Sequence, residues 1–323
     1  MKTAVLMASY NGEKFIQEQL DSIKNQSLKP DYVLIRDDGS TDQTVQTVEK
    51  YIADNELQGW SIKRNEKNLG WRSNFRALLL DSLELETDYV FFSDQDDTWK
   101  LDKNEKQVSI MEENGNIEVL SGDLEIVKLD EDAIIPHFFV FDDKDKEISK
   151  YPFSQDHKTG FRQGMTLAIK TEFVQDVMEF WESTFDSLTH DILFERLSSI
   201  LGTGYNLNQI VANHKRHGGN ASGHTIISVK DPKAKHIYDL EHKVLGYHTI
   251  AWNVLKKRNN ENAKIQEEYV KFILRRIENA KSDKIFPVLK QVCLDWNYYA
   301  NMSGRIRDII FSFKKNRIVE NKA

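Results

Sequence analysis

The chain has 323 residues, more than one average domain and enough to bury a large core. A net charge of −7 argues against general nucleic-acid binding, and a single cysteine, Cys293, excludes a disulfide framework and agrees with a reducing, cytoplasmic compartment. Residues 2–7 lead directly into a strand pattern rather than a signal peptide, and no apolar run approaches membrane-spanning length.

Residues 3–8 form an apolar run, followed by the turn cluster Ser9-Tyr10-Asn11-Gly12 and then by Phe15, Ile16, Leu20 and Ile23 at helical spacing. Residues 32–35 read as a second buried strand, broken by Arg36-Asp37-Asp38-Gly39-Ser40-Thr41-Asp42. Ser40 or Thr41 is placed to cap a helix carrying Val45, Val48 and Ile52. A weaker third strand at 60–63 leads through a turn with Asn65, Asn68 and Gly70 to a helix carrying Phe75, Leu78 and Leu79. The fourth strand, 89–92, runs into Ser93-Asp94-Gln95-Asp96-Asp97, three carboxylates within four positions. This alternation predicts an α/β fold with a parallel sheet covered by helices on both faces. In such a sheet the loops after the carboxyl ends of the strands form the ligand crevice.

Three like charges packed that tightly repel, so a cation is expected among them. An all-oxygen cluster suits Mg²⁺ or Mn²⁺, ions that commonly stay bridged to substrate phosphates; the alternative is a solvated acidic turn. The other strand-end loops supply an aromatic ring with an Asn, an Asp pair with Gly and Ser, and Asn with Gly. Together they describe a nucleoside-diphosphate pocket without a phosphate-cradling glycine loop. Neither Gly-x-Gly-x-x-Gly nor Gly-x-x-x-x-Gly-Lys-Ser/Thr occurs, which counts against dinucleotide oxidoreductases and P-loop enzymes.

Ala8-Ser9-Tyr10-Asn11-Gly12, Asp37-Asp38-Gly39-Ser40-Thr41-Asp42, Asn68-Leu69-Gly70 and Ser93-Asp94-Gln95-Asp96-Asp97 with Trp99 and Lys103 resemble the ordered motifs of family 2 glycosyltransferases with the GT-A fold. The likeness is greatest to bacterial enzymes that build rhamnose-containing or similar cell-surface polysaccharides, and it covers roughly residues 1–225. The resemblance implies that Tyr10, flanked by Ser9 and Asn11, stacks near a pyrimidine and that Asp37 or Asp38 accepts from the base N3–H. It places Asn68 and Arg72 along the nucleotide, Asp94 with Gln95 toward ribose and metal, and Asp96 on the metal. On the residues alone, Asn68 reads equally as a helix cap and Arg72 as a solvated helix residue.

Downstream, residues 161–170 resemble the strand that lines the acceptor side in such enzymes, with Met165 in place of the usual Cys. Thr189-His190-Asp191 resembles the pair whose Asp is the catalytic base, although Ile192 and Leu193 stand where a Trp often follows. Without the resemblance, Asp191 is an ordinary carboxylate at a helix N-terminus, and Asp156 and Glu195 are rival bases. Residues 213–223 read as a basic, Gly-rich loop. The resemblance casts His217 there as a third metal ligand and Arg216 or Lys215 as neighbours of the diphosphate; the alternative is an exposed linker. Histidines 214, 217 and 224 lack the Cys or ligand spacing that a zinc site needs.

Residues 130–158 are rich in charge and read as an insertion, either a mobile acceptor loop or a merely solvated one. After Asp231-Pro232 the pattern is helical, with stripes at Ile237, Leu240, Val244, Tyr247 or His248 and Ala251, at Tyr269, Phe272, Ile273 and Ile277, and at Val288, Leu289, Val292 and Trp296. The expected domains are therefore a GT-A domain over 1–225 and a C-terminal helical appendage over 226–323, whose aromatic stripes suit a homo-oligomer contact. Arg305, Arg307, Lys314, Lys315 and Arg317 alternate with Ile306, Ile309, Ile310, Phe311 and Phe313. That pattern suits either a peripheral rest on the inner face of the cell membrane or a helix packed on its neighbours.

The expected activity is a metal-dependent inverting glycosyl transfer from a UDP- or dTDP-sugar, with Mn²⁺ or Mg²⁺, to a saccharide, lipid-linked or protein-linked glycan acceptor. A sugar nucleotidyltransferase is the alternative enzyme, although its N-terminal Gly-rich triphosphate loop is missing. A non-catalytic GT-A-fold assembly subunit is the other, and intact Asp96 and Asp191 weigh against it.

Overall fold

The structure, a computed structural model, describes residues 1–131, 135, 139–154, 160–217, 227–282 and 284–314. The chain divides into two compact units, one of 1–154, 158–178 and 189–222 and the other of 155–157, 179–188 and 223–323. The sequence-based boundary after residue 225 lies outside the described residues.

In the first unit, β1 (Thr3–Ser9), β2 (Tyr32–Asp37), β3 (Trp60–Arg64) and β4 (Tyr89–Asp94) lie parallel in the order β3-β2-β1-β4. The helices α1 (Ile16–Lys24), α2 (Thr44–Asp54) and α3 (Trp71–Ser82) connect them. Residues 4–7 and 90–92 are buried on both faces, as parallel central strands require. Each helix turns an apolar stripe inward, Ile16, Leu20 and Ile23 on α1 and Phe75, Leu78 and Leu79 on α3. Register sets the site: Ser9 pairs with Asp37, Ala8 with Asp94, and Asp37 with Arg64, so the strands end level and their loops share one edge.

The parallel arrangement expected from the first four strands is present, and beyond β4 the sheet becomes mixed. The further elements are β5 (Thr98–Trp99), α4 (Lys103–Glu113), β6 (Val119–Lys128), β7 (Ile148–Lys150), β8 (Ala168–Lys170), α5 (Thr171–Met178), α6 (His190–Leu201) and β9 (Gly204–Arg216). β8 is antiparallel to β4 and to β6, and β9 is parallel to β6 but antiparallel to β5 and β7. Antiparallel neighbours need no covering crossover helix, so the order of strands and helices in this half does not by itself give the pairing.

Three local expectations also change. The second helix begins at Thr44, because Ser40 bonds to Asp37 and it is Asp42 Oδ1 that accepts from the Thr44 amide at 3.0 Å. Residues 213–216 belong to β9, not to a loop, while 218–226 lie outside the described residues. The charged stretch 130–158 contains β7 and the buried Phe141 and Tyr151, which stack with ring centres 5.9 Å apart. Lys103 is fully buried; its Nζ donates to Gln107 Oε1 at 2.8 Å and lies over the rings of Phe91 and Trp99, and burial pulls its pKa well down.

The second unit is helical. α7 (Lys233–Asp239) passes through a π turn at Leu240–Val244 into α8 (Leu245–Lys257), followed by α9 (Ala263–Lys281), α10 (Ile285–Leu294) and α11 (Met302–Ser312). Leu240, Val244, Phe272, Ile273, Ile277, Val292 and Tyr299 form its core. Leu289 and Trp296 fall outside that core at 37% and 46% exposure, correcting their place in the third stripe. Asp308 is buried with Arg276, whose Nε and Nη2 donate to it at 2.8 Å, and Tyr299 donates to it at 2.7 Å.

Candidate active site

The site is built from the loops at the level ends of β1 to β4. Asn11, at φ 48°, turns the first loop sharply, and Asn11 Oδ1 accepts from the Thr41 amide while Ser40 Oγ accepts from the Asn11 amide at 2.8 Å. Gln95 then clamps the same loop, since the Tyr10 amide donates to Gln95 Oε1 and Gln95 Nε2 donates to the Tyr10 carbonyl, both at 2.9 Å. A Cβ at residue 12 would sit 2.1 Å from Gln95 Oε1, so glycine there leaves room for the clamp. The Tyr10 ring itself stays exposed on this rigid turn, free of the sheet and open to a flat ligand.

The two adjacent aspartates after β2 differ. Asp37 is fully buried and takes four donors: the Gly39 and Ser40 amides on Oδ1, and the hydroxyls of Ser9 and Ser40 on Oδ2. Asp38 takes three, Asn65 Nδ2 and the Leu69 amide on Oδ1 and the Gly70 amide on Oδ2, at 2.7 to 2.8 Å. A carboxylate offers roughly four acceptor positions, so Asp37 is filled and Asp38 keeps one. Asn68 donates to the Asp38 carbonyl and accepts from the Gly70 amide, so it holds the entry to α3. Arg72, in the first turn of α3, places its guanidinium 4.3 Å from the centre of the Trp71 ring.

The acidic loop after β4 is tied to the end of β9. His217 Nε2 and Asp96 Oδ2 lie 2.9 Å apart, and the His217 ring stacks on Phe15 at 4.6 Å. One residue on, buried Asp97 accepts from His214 Nδ1 at 2.8 Å and from the Lys215 amide at 3.0 Å. Lys215 Nζ reaches Glu18 on α1 at 2.5 Å. Phe15, Glu18 and His214 carry no signal in the sequence for this role, because β9 is distant in the chain and its register is set by β5 and β6.

Burial, with the charges of Asp97, Asp96 and Asp191 added to it, pushes the Asp94 carboxyl well above the ordinary carboxylate range. Asp97 is raised too, by burial first, although its bond to His214 opposes the shift, and its Oδ2 has no partner among the described residues. Among the described residues no three of His, Cys, Asp and Glu are already gathered into a metal cage. The donor chemistry nevertheless fits a hard divalent ion: two neighbouring carboxyl groups at Asp94 and Asp96, whose oxygens suit such an ion, and an imidazole already beside Asp96.

Asp191 opens α6 on the far side of this loop. It is half-buried, and its Oδ1 accepts from the Ile192 amide at 2.8 Å. The 3₁₀ turn Gly164–Thr166 packs on it, with residue 164 so close that a Cβ would meet His190 Nε2 at 2.7 Å and Asp191 Cβ at 3.6 Å. This turn replaces most of the strand expected over 161–170, and Met165 is buried within it. His190 is enclosed by Phe75, Phe92 and Trp71, and burial lowers its pKa to about 4, so it is neutral. Glu195, one turn further on, is fully buried and accepts from the Phe161 and Arg162 amides at 2.7 and 2.8 Å. Burial and Asp191 push it up to about 8. Glu195 thus holds the 160–162 loop, whereas Asp156 lies outside the described residues.

Residues 4–177 match the family described as Glycosyl transferase family 2. A dTDP-rhamnosyl transferase RfbG of Shigella flexneri is 41% identical over 98 residues, 30% of this chain and 34% of that protein. Poly(ribitol-phosphate) beta-N-acetylglucosaminyltransferase TarS of Staphylococcus aureus is 39% identical over 99 residues, 30% of this chain and 16% of that protein. The aligned stretch thus spans about a third or less of the length of these curated relatives. The crystal structure of S. aureus TarS 1-349 in complex with UDP superposes with a TM-score of 0.56 at 20% identity, covering 97% of this chain and 89% of that one. A structure of GalNAc-T7 with UDP, GalNAc and Mn²⁺ gives 0.54 at 12% identity, over 85% and 57%. At such identities the likeness carries the fold, and it is the GT-A fold expected from the motifs.

Proposed function

The chain belongs to glycosyl transferase family 2, and on that premise we propose that it moves a sugar, with inversion, from a UDP- or dTDP-sugar to a glycan acceptor in cell-surface polysaccharide or glycoconjugate synthesis. The observation that carries this reading is the convergence of two carboxylate groups: Asp94 and Asp96 at the end of β4, and Asp191 at the start of α6, close enough for its charge to act on Asp94. Tyr10 stacks on the pyrimidine, and Asp38, with its remaining acceptor position, takes the N3–H that uracil and thymine share. Ser9 and Asn11 hold the loop, Gln95 locks it to the acidic motif, and Asn68 and Arg72 line the nucleotide. Asp94, Asp96 and His217 hold Mn²⁺ or Mg²⁺, which when bound neutralises charge on the leaving diphosphate. Asp191 removes the acceptor hydroxyl proton, its Oδ2 facing away from the Ile192 amide; Glu195 has both oxygens committed to backbone amides. The names of RfbG and TarS favour dTDP-rhamnose and UDP-N-acetylglucosamine as the first donors to try.

Thermal shift against UDP-, dTDP-, GDP- and CMP-sugars with Mn²⁺ tests the donor class, because a ligand that binds only the native state raises the melting temperature. A shift with a UDP- or dTDP-sugar is expected. A response to a purine nucleotide sugar alone would overturn the pyrimidine assignment, and nucleotidyl transfer from a nucleoside triphosphate to a sugar 1-phosphate would replace the reading.

A further inference from the structure

The α10 helix buries Val288, Gln291 and Val292 against its own unit and leaves its opposite face uncovered. Phe286, Leu289, Lys290, Cys293 and Leu294 recur there at i, i+3, i+4, i+7 and i+8, with Phe286 82% and Leu294 71% exposed. Such spacing is one continuous stripe on a helix, and a soluble surface rarely leaves one open. Just past its end stands the exposed Trp296, with the Arg305 guanidinium 3.8 Å from its ring centre and Arg305 Nη2 donating to the Trp296 carbonyl at 2.7 Å.

Charge decides what this face fits. Residues 284–314 contain the cations Lys284, Lys290, Arg305, Arg307 and Lys314. The carboxylates of that stretch, Asp295 and Asp308, are buried and ion-paired with Arg275 and Arg276. The exposed charge of residues 284–314 is therefore all positive on a chain whose net charge is −7. A second copy laid on the stripe in an isologous contact would set Lys290 against Lys290 with no acid on the stripe to offset it. An apolar face edged by lysines and ended by a tryptophan under an arginine matches instead a bilayer whose headgroups are anionic.

We propose that the exposed face of α10, with Trp296 and Arg305, is a peripheral docking surface for an anionic lipid membrane. α10 lies in the plane of the interface, Phe286, Leu289 and Leu294 enter the headgroup and acyl boundary, and Lys284, Lys290 and Arg305 face the lipid phosphates. No helix among the described residues is long and apolar enough to cross a membrane, so the attachment is superficial and reversible. The sequence pattern offers the last helix for a membrane rest or for packing on its neighbours: α11 turns Phe311 inward, leaves Ile309 and Ile310 partly exposed and Ile306 and Phe313 exposed, while Lys315 and Arg317 lie outside the described residues.

The test is flotation of the full chain with phosphatidylcholine vesicles containing phosphatidylglycerol, against phosphatidylcholine alone. Wild type is expected to float with the anionic vesicles only, and binding should weaken roughly tenfold or more both in Phe286→Ser with Leu294→Ser and in Lys284→Glu with Lys290→Glu. All four side chains are exposed, so melting temperature and nucleotide binding should stay at wild-type values, which separates a failure here from a failure of the transferase reading. No flotation by wild type, or equal flotation by either double variant, would overturn the proposal. So would a concentration-dependent dimer that only Phe286→Ser with Leu294→Ser dissolves, without any vesicle binding, which would identify the occupant as a second copy.

Discussion

At the scale of single residues, the neighbours of each carboxylate separate its role from that of its twin. Asp37 has all its acceptor positions filled by the protein, while Asp38 keeps one. Asp191 is half-buried at a helix start, while Glu195 is sealed beneath it. Asp191→Asn is therefore expected to lower glycosyl transfer by about a hundredfold or more while donor affinity changes far less. Glu195→Gln should instead disturb the 160–162 loop, and near-native transfer by Asp191→Asn would move the base elsewhere. His190 supplies a pH signature. Burial among aromatic rings holds it near 4, while an unfolded histidine titrates near 6.5. Between those values the unfolded chain binds a proton that the folded one refuses, so the contribution of this histidine to stability is full above about pH 6.5 and is lost as pH drops toward 4. The His190 share of the loss should be about 3 kcal/mol, and His190→Phe should reduce the slope by that share in urea unfolding at a series of pH values, leaving the part due to buried His248. An unchanged slope would place the titration on other groups.

At the scale of elements, the level strand ends make a pocket only because the loops are locked to one another. Gly12→Ala would push the Gln95 side chain off the Tyr10 backbone, since the new Cβ falls on the amide. The displaced atoms are the far end of a flexible side chain, so the melting temperature should shift by only a few degrees. Nucleotide affinity should fall roughly tenfold, as expected when a supporting shell loosens. Unaltered affinity would show that the clamp is irrelevant to the donor. The elements of the N-terminal half were legible because each strand is a short apolar run closed by a turn cluster, and each helix repeats its apolar residues at the helical period. The ends of helices and the second half of the sheet were not. Ser40 looked like a cap until its hydroxyl was spent on Asp37, and β9 looked like a loop because its residues from Asn213 to Arg216 are polar. Those residues are strand because their backbone pairs with β6, and Asn213 with β5 as well, a long-range arrangement that no local pattern encodes; side-chain bonds from His214 to Asp97 and Asn213 to Thr98 add to it. Likewise, Phe141 and Tyr151 sit within a charged stretch but pack on Phe161.

At the scale of the whole molecule, every group proposed to bind or transfer sugar lies in the first unit, and the second keeps its own apolar core and its own buried ion pair between Arg276 and Asp308. The first unit is proposed to hold a nucleoside diphosphate through a divalent ion on Asp94 and Asp96 of the acidic loop, with His217 beside Asp96. Titration calorimetry of UDP and dTDP, with Mn²⁺ and with chelator, into wild type and Asp96→Asn tests this most directly. Asp96→Asn keeps the shape of the side chain and its place beside His217 but removes the charge. Binding of at least one nucleotide is expected to need Mn²⁺ and to weaken at least about tenfold in Asp96→Asn. Equal affinity with metal and with chelator, or an Asp96→Asn protein that binds as tightly as wild type, would contradict it.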